Sequence, residues 1–127
     1  MARKLYDLLG ADNRRYSPYC WRIKMALAHK GLEAEDEPCG FTEMEKVAFS
    51  GGKTVPVLVD GDAQVRDSWA IAEYLEEAYP EAPSLFGGAK GQALAHFVSR
   101  WRRRSIDQCL AGRPMHQCLS ETCPCVV

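Results

Sequence analysis

The sequence predicts an α/β fold, and three observations support this class. A β-branched run from Val55 to Val59, bounded by Gly51-Gly52 and Asp60-Gly61-Asp62, is typical of a buried strand. A Ser-Pro pair at positions 17 and 18 opens a stretch with helical apolar spacing. Strand-like and helix-like segments then alternate along the chain, which favours strands packed against helices in one domain.

The first strand and helix are predicted from the N-terminal third of the chain. Lys4 to Leu9 is a short apolar-rich strand. Ser17 occupies an N-cap position, and Pro18 fits the first helical position, where its missing amide costs nothing. The helix is predicted over about Tyr19 to Lys30. Gly31 then stands where a left-handed C-cap belongs.

A second strand, an irregular segment and a hairpin follow. Glu33 to Glu37 carries charge on alternate residues, which predicts a strand near a sheet edge. Phe41 to Phe49 is predicted to be irregular or helical. Asp60-Gly61 forms a tight turn between the strand at Val55 to Val59 and a shorter one at Ala63 to Arg66.

The next helix begins at Asp67-Ser68, whose side chains can accept hydrogen bonds from free amides at a helix start. Pro80 ends it. The apolar residues that recur at helical spacing are Ile71, Ala72, Leu75, Ala78 and Tyr79. Pro56 cannot donate to a ladder, so it marks the start of a strand or a bend. A cis Val55–Pro56 bond would turn the backbone groups of Val55 out of the sheet.

The stretch VPVLVD…DSWAIAEYLEEAYP resembles the glutathione-binding domain of glutathione S-transferases. The resemblance implies a thioredoxin-like fold with a mixed four-stranded sheet and flanking helices, to which we expect the chain to add a short helical remnant and an irregular tail. It also implies that Val55, before a cis-Pro56, pairs its backbone with the cysteinyl unit of glutathione. Asp67 and Ser68 would hold the γ-glutamyl end, and glutathione would be the co-substrate.

The segment SPYCWRIKMALAHKGL resembles the first catalytic segment of the same family. Hydroxyl-using members place a serine where Ser17 falls. The wider pattern is most similar to the bacterial β-etherase-like branch, whose members cleave aryl ether bonds with glutathione as the nucleophile. The resemblance covers about residues 4–101 and implies Ser17 as the catalytic residue.

The energetics of a serine at this position are favourable for thiol activation. Making a thiol of pKa about 8.5 mostly thiolate at pH 7 requires about 2.7 kcal/mol. A hydroxyl donating to a charged sulfur supplies roughly 1.5–3 kcal/mol, and a helix N-terminus roughly 0.3–1 kcal/mol. The alternative for Ser17 is a cap with no other role. Cys20, in a Ser-x-x-Cys spacing, is either a buried apolar residue or a redox thiol.

The C-terminal part of the chain has a different composition. Residues 1–87 carry 10 Lys+Arg against 15 Asp+Glu, whereas residues 88–127 carry 6 against 2. We expect a glutathione-binding domain over 1–86. Residues 87–127 would form a linker, a partial first helix over Gln92 to about Trp101, and a cysteine-rich tail without helical period, as in a truncated or frame-shifted member. The tail contains Cys109, Cys118, Cys123 and Cys125.

A zinc site formed by His116 and the last three cysteines is the rival interpretation of the tail. The spacing C-x4-C-x-C matches none of the common zinc knuckles, so we expect no metal. The net charge of -1 gives no reason to expect nucleic acid. No apolar run or leader-like segment indicates a membrane or secretion, so we expect a cytoplasmic protein with reduced cysteines.

The first function hypothesis is a glutathione transferase acting on a small aromatic or otherwise electrophilic substrate. The alternatives are a non-enzymatic glutathione-binding or interaction module, and a glutaredoxin-like thiol oxidoreductase that uses Cys20. Because one helix at most follows the first domain, part of its apolar surface would stay uncovered. We therefore expect a homodimer or another form of self-association.

Overall fold

The computed structural model describes residues 2–110, with side chains described up to residue 102. Four strands and three α-helices, with two 3-10 segments, make up this part of the chain. In chain order they are β1 (Lys4–Leu9), a 3-10 turn (Ala11–Asn13), α1 (Pro18–Lys30), β2 (Glu35–Gly40), a 3-10 segment (Phe41–Ser50), β3 (Val57–Asp60), β4 (Ala63–Arg66), α2 (Ser68–Ala78) and α3 (Ala89–Leu110).

The strands form one mixed sheet in the order β2-β1-β3-β4. β1 and β2 run parallel, while β3 is antiparallel to both β1 and β4. The parallel strands β1 and β2 require the crossover that α1 provides. The antiparallel strands β3 and β4 are joined by the tight Asp60–Ala63 turn. This is the thioredoxin-like arrangement that the sequence resemblance implied.

Two layers cover the sheet because the side chains of each strand alternate between its faces. Leu5 and Leu58 face each other across β1 and β3, and α1 and α2 pack over them. The buried residues that this layer shares are Leu5, Ile23, Leu27, Leu58, Ile71 and Leu75. The 3-10 segment packs on the opposite face through Val47, which meets Cys39 and Val57.

Several predicted element bounds are confirmed and two are shifted. β1 has the predicted bounds, Ser17 is the N-cap of α1, and Gly31 is its left-handed C-cap at φ 67°. β2 spans Glu35–Gly40 rather than Glu33 to Glu37, because its partner β1 fixes the pairing up to Leu9↔Gly40. The strand predicted at Val55 starts at Val57, since the proline before it cannot donate to the ladder.

The prediction for the last helix was wrong in length. α3 spans Ala89–Leu110, whereas the apolar period suggested an end near Trp101. Residues 92–110 contain no glycine or proline, and the arginines after Trp101 favour a helix, so intrinsic propensity sustains it where apolar spacing fails. The proposed zinc ligands lie outside the described residues. None of the helices described here is long and apolar enough to cross a membrane.

One buried ion pair holds the C-terminal ends of α1 and α2 together. Lys30, whose side chain is 1% exposed, places Nζ 2.7 Å from Glu76 Oε1 and donates to the Tyr79 carbonyl. Glu76 also accepts from Ser84 Oγ and from the Leu85 amide. Burial alone would raise the pKa of Glu76, but these donors together lower it to about 2.

We predict that Glu76 makes the free energy of unfolding of the domain depend on pH in the acidic range. Its pKa falls from 4.5 in the unfolded chain to about 2 in the folded one, so its contribution is complete above pH 4.5. That contribution, on the order of 3 kcal/mol, is lost as the pH falls from 4.5 towards 2. Urea unfolding between pH 7 and pH 2.5 should therefore show Glu76→Gln far less stable than the wild type at pH 7. The difference should narrow at low pH.

Glu77→Gln is the matched control, because Glu77 is the exposed neighbour of Glu76 on the same helix. It should change the free energy of unfolding by less than about 0.5 kcal/mol at any pH in this range. Equal destabilisation by both substitutions would show that the Lys30–Glu76 pair contributes nothing specific.

Candidate functional site

Three segments meet at one edge of the sheet, and the strand pairing brings them there. β1 ends at this edge, and the chain leaves it towards α1. Because β3 is antiparallel to β1, with Tyr6 opposite Val57, β3 begins at the same edge. β4 ends there too, since Arg66 lies opposite Val57. The predicted site residues at this edge are therefore Ser17, Val55, Pro56, Asp67 and Ser68.

Ser17 presents its hydroxyl at the N-terminal end of α1. It has extended backbone angles, its side chain is almost buried, and its Oγ accepts from the Cys20 amide at 3.3 Å. Pro18 occupies the first helical position. The cap uses Oγ as an acceptor, so the hydroxyl hydrogen can be donated to a second group, and the Cys20 thiol is one such neighbour in this structure. The positive end of the helix dipole favours an anionic partner at this position.

The Val55–Pro56 bond is cis, as the sequence allowed. Val55 lies outside the ladder, because the pairing of β3 with both neighbours starts at Val57. Its side chain packs with the cluster under the 3-10 segment, and Pro56 is buried. The backbone of Val55 is thus held by its surroundings without being committed to the sheet.

Asp67 is the N-cap of α2 and has an unusual backbone conformation. Its φ is 71° and its ψ is 130°, although it is not a glycine. Its carboxylate accepts from the amides of Trp69 at 3.1 Å and Ala70 at 3.3 Å. A non-glycine residue in such a region costs of order 1–3 kcal/mol, and outliers of this kind cluster at functional sites.

Ser68 does not cap the helix as the sequence suggested. It is the first residue of α2 and only 3% exposed. Within the described part of the chain, its Oγ has no hydrogen-bond partner. A buried hydroxyl left in this condition costs about 1–3 kcal/mol, which a polar ligand group at the start of α2 would recover.

Cys20 is completely buried in the first turn of α1. Burial raises the pKa of its thiol to about 11 and outweighs the hydrogen bond with Ser17, which lowers it, while the neighbouring Asp7 carboxylate acts in the same direction as burial. A thiol in this environment is protonated at neutral pH. The geometry therefore assigns Cys20 to packing, and Ser17 is the polar group that this turn presents.

The profile of the family described as "Glutathione S-transferase, N-terminal domain" matches residues 13–83. This segment runs from the loop before Ser17 to beyond the end of α2 and contains all the predicted site residues, while β1 precedes it. The chain belongs to the glutathione S-transferase family.

Glutathione S-transferase U13 of Arabidopsis thaliana is 34% identical over 102 residues, covering 76% of this chain and 44% of the relative. Glutathione S-transferase Z1 of the same plant is 44% identical over 71 residues, covering 50% of this chain and 31% of the relative. A glutathione transferase homolog from Burkholderia, crystallised with bound glutathione, has a TM-score of 0.66 at 27% identity, covering 81% of this chain and 54% of that one. The chain therefore spans a third to about half of the length of these glutathione S-transferases.

Sequence reasoning missed one residue that shapes this glutathione S-transferase domain near the candidate site. Arg66, the last residue of β4, donates from Nη1 to the Gly51 carbonyl at 2.7 Å. It thereby joins the end of β4 to the loop that leads to Val55. The available signal was the arginine directly before the Asp-Ser pair, together with the Gly-Gly pair that bounds the predicted strand at Val55 to Val59.

We predict that Cys20 is chemically silent in the folded protein. At pH 7, about four units below its pKa, only ~1 in 10,000 of its thiol groups is ionised. Iodoacetamide treatment followed by peptide mass spectrometry should leave Cys20 unmodified in the native protein and label it in urea. Rapid labelling of native Cys20 would contradict its assignment to packing and would support the hypothesis of a thiol oxidoreductase that uses Cys20.

Proposed function

We propose that this domain binds glutathione at the edge where β1, β3 and β4 meet, and presents it for transfer to an electrophile. The observation that carries the proposal is the convergence of Ser17, Val55 and the Asp67–Ser68 pair, from three separate segments, at that edge. Each of the three offers a chemically different contact, and together they suit the γ-glutamyl and cysteinyl units of the tripeptide.

The γ-glutamyl end of glutathione carries an ammonium and a carboxylate, and the start of α2 suits both. The Asp67 carboxylate can pair with the ammonium while it continues to cap the helix. The Ser68 hydroxyl and the positive end of the helix dipole suit the carboxylate. This assignment gives the buried Ser68 Oγ a hydrogen-bond partner. It also accounts for the strained backbone at Asp67, which would hold the carboxylate where the ammonium binds.

The cysteinyl unit would lie between β3 and α1. The backbone of Val55, outside the ladder, can form an antiparallel pair with the amide and carbonyl of this unit. The thiolate then lies near the N-terminal end of α1. Ser17 would donate its hydroxyl hydrogen to the sulfur, a charge-assisted bond of roughly 1.5–3 kcal/mol, and thereby keep the thiol ionised at neutral pH.

Aryl ethers are the electrophiles that we propose first, as in the β-etherase-like branch that the sequence resembles. Tyr16 and Trp21 flank Ser17 in the sequence and are 40% and 47% exposed, respectively. Phe41, 56% exposed, follows β2 at the same edge of the sheet. Exposed rings beside a thiolate suit an aromatic substrate, since stacked aromatic pairs contribute about 0.5–1.5 kcal/mol beyond the area they bury.

The proposed domain organisation places the glutathione site within residues 1–86 and assigns 87–127 to a linker, a partial first helix and a cysteine-rich tail. The first compact unit of the structure ends at Leu85, which supports the boundary between the two parts. The alternative function is a glutathione-binding module without turnover. Titration with glutathione, followed by a turnover assay with a model aryl ether, separates transfer from binding without turnover.

We also propose that the chain forms a homodimer.

We predict that the γ-glutamyl contacts can be measured one at a time. Asp67→Asn keeps a capping oxygen and tolerates positive φ, so it removes the charge with little effect on the helix. Asp67→Asn and Ser68→Ala should each weaken glutathione binding by about 1–3 kcal/mol in calorimetric titration. Asp62→Asn, at the exposed β3–β4 turn, is the control and should bind as the wild type does. Unchanged affinity in both site variants would remove the γ-glutamyl end from this position.

A further prediction distinguishes the thiolate mechanism from redox chemistry. Ser17→Ala should raise the pKa of the bound glutathione thiol and slow transfer at neutral pH, because the sulfur loses its donor. Cys20→Ser should leave transfer largely intact, because Cys20 is buried and protonated. Ultraviolet titration of the bound thiolate and initial rates against pH are the measurements. Loss of activity in Cys20→Ser with an active Ser17→Ala would make the redox mechanism correct.

A further inference from the structure

Asp7 is a buried carboxylate that the proposed function does not use. It lies in β1, its side chain is 0% exposed, and it points to the face that α1 covers. Lys24 Nζ lies 2.6 Å from Asp7 Oδ2 and also 2.8 Å from Asp36 Oδ2, so it ties β1, α1 and β2 together. An unpaired buried carboxylate would cost several kcal/mol, and Lys24 offsets that cost.

Arg15 is a second cation on the same carboxylate oxygen. Its Nε lies 3.8 Å from Asp7 Oδ2, and its side chain is only 19% exposed. Its Nη1 is buried without a hydrogen-bond partner among the described residues. The donors of a surface arginine are normally hydrogen-bonded to water, whereas this guanidinium is inserted into the protein. Lys24 is shared between Asp7 and Asp36, so Arg15 supplies the second positive charge for these two carboxylates.

The position of Arg15 in the chain suggests what it does. It belongs to the loop of residues 10–16, which carries left-handed backbone angles at Asp12 and Asn13. The indole Nε1 of Trp21 donates to the Arg15 carbonyl at 2.9 Å, so Arg15 is held by its side chain and by its backbone. Only Tyr16 separates it from Ser17, and the ring of Tyr16 lies directly against Gly10.

We propose that Arg15, anchored on the buried Asp7 carboxylate, is a positioning residue for the Ser17 hydroxyl. The inference rests on the proposed function of Ser17 as thiolate donor. Two fixed points, the Asp7–Arg15 pair before Ser17 and the Cys20 amide after it, define where the hydroxyl lies. Releasing the first point lets the loop move and lengthens the bond from Ser17 to the glutathione sulfur.

Arg15→Gln tests this proposal, with Lys24→Gln as the matched control. Both remove one positive charge from Asp7 Oδ2, but only Arg15 belongs to the loop that leads to Ser17. Lys24 Nζ also lies 5.2 Å from the Trp21 ring centroid, so the control includes any disturbance passed on through Trp21. Arg15→Lys retains a positive charge beside Asp7 and should therefore behave nearly as the wild type does.

The primary measurement is the pKa of the glutathione thiol bound to the full chain, followed by its ultraviolet thiolate absorbance. Arg15→Gln should raise it by about one unit, a tenfold change in the ionisation equilibrium, with less effect on glutathione affinity. Lys24→Gln should shift it much less. An equal or larger shift in Lys24→Gln would mean that local charge decides the pKa, and would overturn the proposal.

A measurement without glutathione separates this inference from the proposed function. In Arg15→Gln, hydrogen exchange at the Gly10 amide, which donates to the Arg14 carbonyl at 2.8 Å, should become faster, while Lys24→Gln should change it much less. Unchanged exchange in Arg15→Gln would overturn the anchoring. So would an Arg15→Gln chain that fails to fold while Lys24→Gln folds, because Arg15 would then support the whole domain. Failure of the wild type to bind glutathione, with the exchange difference present, would overturn only the proposed function.

Discussion

The antiparallel pairing of β3 with β1 is the constraint on which the rest of the structure depends. Leu5 opposite Leu58 joins the two central strands and forms the floor on which α1 and α2 pack. The same register fixes which end of β3 lies beside the end of β1. A slip of one residue would turn Leu58 away from the helices, so the hydrophobic layer and the candidate site are set by one pairing.

The polar side chains at the two ends of the strands differ in how completely they are hydrogen-bonded or paired. At the edge away from the candidate site, the Tyr79 hydroxyl accepts from Arg3 and donates to Asp60, while Lys30 pairs with Glu76. These contacts join the start of β1, the end of β3 and the ends of α1 and α2. At the candidate site, by contrast, the structure has the strained Asp67 and the buried Ser68 Oγ that lacks a partner among the described residues. Hydrogen bonds and ion pairs thus join the elements at the first of these edges, whereas the candidate site has a polar group without a partner among the described residues.

Much of the local structure could be predicted because it depends on short-range chemistry. Ser17-Pro18 and Gly31 define the ends of α1 through capping, which involves only a few neighbouring residues. The start of β3 was less predictable, since the apolar run includes Val55 and only the ladder shows that pairing starts at Val57. The end of α3 was mispredicted because apolar spacing stops before helical propensity does. For the site, the Asp-Ser pair and Ser17 were visible in the sequence, whereas Arg15 and Arg66 looked like ordinary surface arginines.

The sequence by itself determined the α/β class, the capped helices, the hairpin and the family resemblance, because each depends on residue types at close spacing. Only the tertiary structure decided which of these segments meet. Ser17, Val55 and Asp67 are up to 50 residues apart in the chain, and strand register brings them to one edge. The inward direction of Asp7, and its contacts with Arg15 and Lys24, were likewise decided by packing. Periodicity can indicate that a side chain is buried, but its partners come from other elements of the fold.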